Sequence, residues 1–154
     1  MSFRIRGLPA ERFSKLFVMS DEELAQHNAL RMIADGRPAY PCRISLTDAQ
    51  ANEEVILVHY EHHPVTTPFR SSFAIYVRPG EQTYDAIDRV PEQLRRRTLS
   101  LRAYTGIGMM VAAEVVAGTE LESGVERLFA LESTAYIHAH FAAAGCYAAR
   151  IDRA

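Results

Sequence analysis

The sequence predicts an α+β fold: a single domain over residues 1–154, with a mostly antiparallel or mixed sheet and a few helices packed on one face. Three observations predict it. Alternating or β-branched runs outnumber helical patterns. Neighbouring strand runs are split by short turns carrying Gly or Pro, as in hairpins rather than crossovers. Apolar residues make up 48% of the 154 positions, enough for one core.

Taken in order, "FRIRG" alternates as a short strand. "LPAERFSKLF" reads as a short helix with Pro9 in its first turn and Leu8, Phe13, Leu16 and Phe17 as its apolar residues. "MSDEELAQHN" is a stronger helix start: Ser20 can cap, Glu23 can reach back to close a capping box, and Met19 and Leu24 can staple the entry. "LRMIADG" follows as a strand, residues 36–41 as a turn, and "CRISL" as an extended piece. "EEVILVHYEHH" is a strand ended by Pro64, and "SSFAIYVRPG" alternates Phe73, Ile75 and Val77 against Ser72, Ala74 and Tyr76. Residues 81–97 read as loop plus a short helix over "PEQLRRR". "TLSLRAY", the turn "TGIG" and "MMVAAEVVAG" form a hairpin. "TELESGVERLFALES" is the best helix. Thr119 and Glu122 can box its start, and Leu121, Val125, Leu128 and Phe129 make one apolar stripe. "AYIHAHF" and "CYAARID" close the chain as two strands joined around Gly145.

The totals narrow the function classes. A net charge of −2 gives no general attraction to nucleic acid or anionic membrane. No apolar run approaches the ~20 residues that span a bilayer. The start, "MSFRIRGLPAERF", has no apolar region of a signal peptide. The expected location is therefore cytoplasmic, with Cys42 and Cys146 reduced. Lys15 is the single lysine among 17 basic residues; the rest are arginines, which suit bidentate binding of carboxylate or phosphate. They are spread along the whole chain, as GC-rich codon usage also produces.

Three groups of residues could carry chemistry. The first is histidine. On a strand, His59 and His62 point to opposite sides, and His59 and His63 share a face roughly 13 Å apart. "HYEHH" is thus no chelate by itself. His138 and His140 in "HAH" share a face about 6.6 Å apart, beside Tyr136, and could converge on a divalent metal. His62, His59, Glu61 or Glu114 could complete the set; otherwise the face is a polar sheet surface exposed to water or covered by loops. The second group is thiol. Cys146 could act as a nucleophile near the histidine strand, or both cysteines could be small buried hydrophobes. The third is an anion site from Arg95, Arg96 and Arg97 with Arg102, Arg70, Arg43 and Arg150, without any glycine-rich phosphate loop. The bland reading of "RRR" is a solvated helix end.

"YPCR" (40–43), "YEHHP" (60–64), "PFR" (68–70), "SLRAY" (100–104) and "GCYAARIDR" (145–153) together resemble a bacterial family of uncharacterised proteins, catalogued as domain of unknown function number twelve-oh-three. The likeness runs nearly end to end. It implies a small single domain and transfers no reaction, substrate or cofactor. It also implies Gln at position 63 and Asn at 141, where this chain has His63 and Phe141. That turns attention to His62, His138 and His140, with Cys42, Arg70, Cys146 and Arg150 beside them.

Two functional expectations follow. One is a small cytoplasmic binding or interaction domain, with Arg70, Arg102, Tyr104 and Arg150 contacting a small or anionic ligand. In this reading Tyr60, Tyr76, Tyr104, Tyr136 and Tyr147 line a pocket or a homodimer face. The other is a metal- or thiol-dependent enzyme using His62, His138 and His140, with Cys146 as the candidate catalytic residue.

Overall fold

The computed structural model describes residues 1–154. Nine strands form two antiparallel sheets, with three short α-helices. The strands are β1 (Phe3–Arg6), β2 (Ala29–Ile33), β3 (Glu54–His63), β4 (Ser71–Val77), β5 (Asp85–Ile87), β6 (Thr98–Tyr104), β7 (Met110–Ala117), β8 (Tyr136–Phe141) and β9 (Tyr147–Arg153). The helices are α1 (Asp21–Gln26), α2 (Glu92–Arg95) and α3 (Leu121–Phe129). The six-stranded sheet runs β5-β1-β9-β8-β6-β7, and the three-stranded sheet runs β2-β3-β4. This is the predicted α+β architecture. No helix is long and apolar enough to cross a membrane.

Both predicted hairpins form, β6–β7 and β8–β9. Gly145 turns the second with φ of +81°, a conformation that disfavours any residue with a Cβ. The box at α1 also forms: Ser20 Oγ accepts from Glu23 N–H, and the Glu23 carboxylate accepts from Ser20 N–H.

Other expectations need correction. "LPAERFSKLF" makes two 3-10 turns, Ala10–Arg12 and Leu16–Val18, not an α-helix. Only Leu8 and Phe13 of its apolar residues are buried, so no continuous helical stripe had to be covered. "CRISL" is not a strand but a linker with isolated bridges, Pro41 to Asp48 and Cys42 to Tyr76. Thr119 and Glu122 do not box α3. Thr119 lies in a 3-10 turn before it, and Glu122 pairs instead with Arg95. The short strand β5 stands where the sequence predicts loop; its three residues pair with β1 and carry no long alternation to betray them.

The main core lies between the six-stranded sheet and α3. Leu121, Val125, Leu128 and Phe129 pack on Leu99, Leu101, Ile137 and Ile151. Gly124 lowers helix propensity by about 1 kcal/mol, yet it fits here. A Cβ at this position would lie 2.8 Å from Leu101 Cδ1 and 3.1 Å from Val116 Cγ1. The helix can approach the sheet this closely only without one. A second core lies against the small sheet, where Ile56, Val58, Ile75 and Val77 meet Leu8, Phe13, Leu24 and Tyr147. Tyr147 belongs to the large sheet, so the two sheets meet there.

Candidate functional site: a histidine and tyrosine layer between the sheets

All six residues of β8 are buried, although they alternate in character. Ile137, Ala139 and Phe141 belong to the core beneath α3. Tyr136, His138 and His140 face the other way. Register places Ser100 and Tyr147 beside His140, Arg102 and Arg150 beside His138, and Tyr104 beside Tyr136. These ladders make a polar field across β6, β8 and β9.

The end of β3 covers that field. Pairing of β3 with β4 shifts between Glu61 and His63, leaving His62 as the extra residue of a bulge. Strict alternation fails at this point. His59 is exposed, whereas His62 is half-buried and His63 fully buried. Both His62 and His63 face β8, with ring centroids 6.3 and 5.0 Å from His138. The expectation that His59 and His63 share a face is therefore wrong, and the bulge is the reason. The layer is also no solvated sheet surface, since His138 and His140 are 3% and 1% exposed.

Hydrogen bonds separate the four histidines. His63 Nδ1 lies 2.8 Å from the Phe69 carbonyl oxygen, and its Nε2 lies 2.7 Å from the Tyr136 hydroxyl. A carbonyl only accepts, so Nδ1–H donates; in the neutral ring, Nε2 then accepts from Tyr136 O–H. His63 is fully satisfied. His140 Nδ1 lies 2.9 Å from the Gly145 carbonyl oxygen, so it too donates. Its Nε2 then carries a lone pair in the neutral ring, and that atom is buried without a partner. His62 Nδ1 and His138 Nδ1 are likewise buried and unpartnered. Three orphaned nitrogens in one layer are unusual, because buried polar groups are nearly always paired.

These rings are held neutral. Burial, then the neighbouring His63 and Arg102, lowers His62 to about 4. Burial lowers His140 to about 3, with Arg102 and His62 adding to it against the Gly145 hydrogen bond. His138 is lowered well below its ordinary value, by burial and then by His63, His140 and Arg150. Burial raises Tyr104, Tyr136 and Tyr147, keeping their hydroxyls protonated.

A metal is the first group to test against this arrangement. His62, His138 and His140 do meet. Their centroids are 5.2 Å apart for His62–His140 and 6.3 Å for the other two pairs. Three imidazoles on one tetrahedral ion, with nitrogens at about 2.0–2.1 Å, would hold their centroids about 5.2 Å apart. One pair fits and two are wide, and no three His, Cys, Asp or Glu side chains form a ready metal-holding group. None of the other suggested donors joins as a fourth ligand: Glu61 pairs with Arg70 and Glu114 with Arg127.

The suggested ligand contacts divide. Arg102 and Tyr104 belong to the layer. The Arg102 guanidinium has no carboxylate partner: its Nε lies 3.4 Å from Ser100 Oγ, it reaches the Tyr104 hydroxyl, and its charge acts on His62, His140 and Tyr104. The Arg150 guanidinium lies 4.0 Å from the Tyr136 ring centroid but is paired with Asp152. Arg70 stands outside, paired with Glu61. The "RRR" run does not act as one site. Arg95 binds Glu122, Arg96 binds Glu92 and Arg97 binds Asp48. The five tyrosines do not line one pocket either. Tyr60 packs on Phe13 and Tyr76 on Tyr40, while Tyr104, Tyr136 and Tyr147 join the histidines.

Cys146 does not join the histidines. It is buried in the α3 core with a free thiol; Cys42, also free, is buried in the second core against the small sheet. It also lines a cavity of about 530 Å³ together with Arg43, Arg97 and Phe141. Sequence reasoning missed this cavity and the His63–Tyr136 pair. Neither has a local signature: the first joins residues from 38 to 146, and the second rests on the bulge.

No curated protein and no solved structure matches the chain. A family profile described as Protein of unknown function (DUF1203) matches residues 39–153, from the loop before the cavity to the last strand. That span contains β3, β6, β8 and β9, which build the layer, and by it the chain belongs to this family of proteins of unknown function.

Proposed function

We propose that the protein is a small-ligand-binding domain whose site is the layer between the sheets, formed by His62, His138, His140, Arg102 and Tyr104. The three buried imidazole nitrogens without partners carry this reading. Leaving such groups unpaired costs about 1–3 kcal/mol each, and a ligand that pairs them recovers that cost. Two features set its chemistry. Arg102 has no carboxylate partner and favours an anionic group. The His140 lone pair needs a donor, so the ligand also carries a hydroxyl or amine. Entry is over Ser100, Arg102 and His62, all only partly buried.

The test compares glycolate with acetate by calorimetry and thermal shift, because they differ by one hydroxyl. Glycolate should bind more tightly and raise the melting temperature. Arg102→Gln should abolish binding of both, and His140→Asn should erase the preference between them. Equal, Arg102-independent responses would sink the reading.

A divalent metal is the second reading, favoured by the lone pair that the Gly145 contact fixes on His140 Nε2. The wide centroid spacings and the cationic Arg102 weigh against it. Metal content of protein purified without a histidine tag decides it. Near-stoichiometric zinc, iron, nickel, copper or manganese, lost in His138→Ala/His140→Ala, would replace the first reading with this one.

A further inference from the structure

A cavity lies at the end of the β8–β9 hairpin, with Arg43 in its wall. Its volume of about 530 Å³ falls in the ~300–1,000 Å³ range of small-molecule sites. Leu57, Phe73 and Tyr76 line it from the small sheet, and Phe141, Ala144 and Cys146 from the hairpin. The wall is therefore mostly apolar, and Arg43 and Arg97 bring the only formal charges to it.

The two arginines differ in one respect. Arg97 is compensated by both carboxylate oxygens of Asp48, at 3.0 and 3.1 Å. Arg43 is 1% exposed; its two backbone partners are neutral carbonyls, and the one side chain within hydrogen-bonding reach is the Cys146 thiol, not a carboxylate. Its Nε donates to the Tyr147 carbonyl at 2.7 Å and one terminal nitrogen donates to the Pro41 carbonyl at 2.5 Å. Those bonds fix the plane of the guanidinium 5.0 Å from the Phe141 ring centroid, without neutralising it. The other deeply buried arginine, Arg78, has Glu53 and Glu81. Beside Arg43 the ionisable groups are the thiols of Cys146 and Cys42, the hydroxyls of Tyr76 and Tyr147 and the cation of Arg97, with no carboxylate among them. Burying an unpaired charge costs several kcal/mol, and burial accordingly drives the Arg43 pKa downward. The fold holds a rigid guanidinium at a cavity wall and supplies no carboxylate for it.

We propose that this cavity binds a small monocarboxylate with an apolar tail, its carboxylate on Arg43 and its tail along Leu57, Phe73 and Tyr76. One uncompensated arginine calls for one negative charge. A phosphate dianion would leave a second charge against apolar walls, and a neutral hydrocarbon would leave Arg43 unmatched. The site is distinct from the histidine layer: its lining includes no histidine.

The experiment titrates the whole protein with octanoate, octanol and acetate by calorimetry. It also follows alkylation of Cys146 by iodoacetamide, located by peptide mass spectrometry. Octanoate should bind one per chain. Octanol, which keeps the tail and lacks the charge, should bind at least tenfold more weakly, and acetate should not occupy this site. Bound octanoate should slow alkylation of Cys146 at least fivefold. Arg43→Met should bring octanoate and octanol to equal affinity. Should that variant not fold, Ala144→Trp serves instead. Ala144 is exposed at the cavity mouth, so the variant keeps Arg43 and fills the space; it should abolish octanoate binding and protection. Octanoate that fails to bind, or binds equally to Ala144→Trp, overturns the proposal. So does rapid alkylation of Cys146 unaffected by octanoate, which would make the Cys146 thiolate the counter-ion of Arg43. Acetate and glycolate responses that depend on Arg102 report on the histidine layer alone, so the two sites can fail independently.

Discussion

The two faces of β8 are equally buried and differently finished. On one side Ile137 and Ala139 meet α3 and the neighbouring strands, and nothing polar is left over. On the other side Tyr136, His138 and His140 meet the end of β3, and His138 and His140 each keep a nitrogen without a partner. Burial alone therefore does not distinguish a core from a site. Unmatched hydrogen-bonding capacity is what marks a candidate site, because a core made only for stability has no reason to bear that cost.

This contrast can be broken most strongly by acid. His62, His138 and His140 have folded pKa values below the unfolded value of about 6.5. Their neutral forms support the fold fully above that pH. As pH falls from 6.5 toward 3–4 the unfolded chain takes up the protons first, so stability declines. Each group contributes a slope of up to about 1.4 kcal/mol per pH unit. After discounting for the partly exposed His62, metal-free protein should lose roughly 4 kcal/mol between pH 7 and pH 5 in urea melts. A flat profile over that range would show that the rings are not buried as neutral groups.

The apolar face should respond to volume and not to pH. Ile137→Ala should cost about 3 kcal/mol by opening a cavity beneath α3, with the pH slope unchanged. A shift in that slope would mean that the two faces are coupled through the strand.

The polar face should respond unevenly, according to which histidine is satisfied. His63→Phe strands the Phe69 carbonyl and the Tyr136 hydroxyl and should cost about 2 kcal/mol. His138→Phe removes a ring with an orphaned nitrogen. It should change stability by less than about 1 kcal/mol while reducing the acid-induced loss by nearly half. If His138→Phe costs as much as His63→Phe, the orphaned nitrogen is paired in solution and the layer loses its claim to a ligand.

Much of this was legible in the sequence, for local reasons. The alternation in "YIHAHF" put His138 and His140 on one face with Tyr136, since side chains alternate along any strand. Capping chemistry placed α1, and the β-branched run placed β3. His62 is one of four donors the sequence offers to that pair, favoured over the others only by the family resemblance, and its route into the layer is not legible. The bulge that turns both His62 and His63 toward β8 depends on pairing with β4 and leaves no mark in "HYEHHP". Thr119 and Glu122 mislead in the opposite sense: the local pattern for a box is present, but Arg95 from α2 takes Glu122.

By itself, then, the sequence determined the fold class, the two hairpins, the apolar stripe of α3 and the pairing of His138 with His140. Each follows from periodicities and turn residues within about fifteen positions. Only the tertiary structure decided which arginines are neutralised, that Cys146 faces a cavity rather than a histidine, and that three imidazole nitrogens share a layer without partners. Those outcomes depend on contacts between segments far apart in the chain, such as Arg43 with Tyr147 and His62 with His140. No local propensity encodes such distances; they are set by how two sheets close on one another.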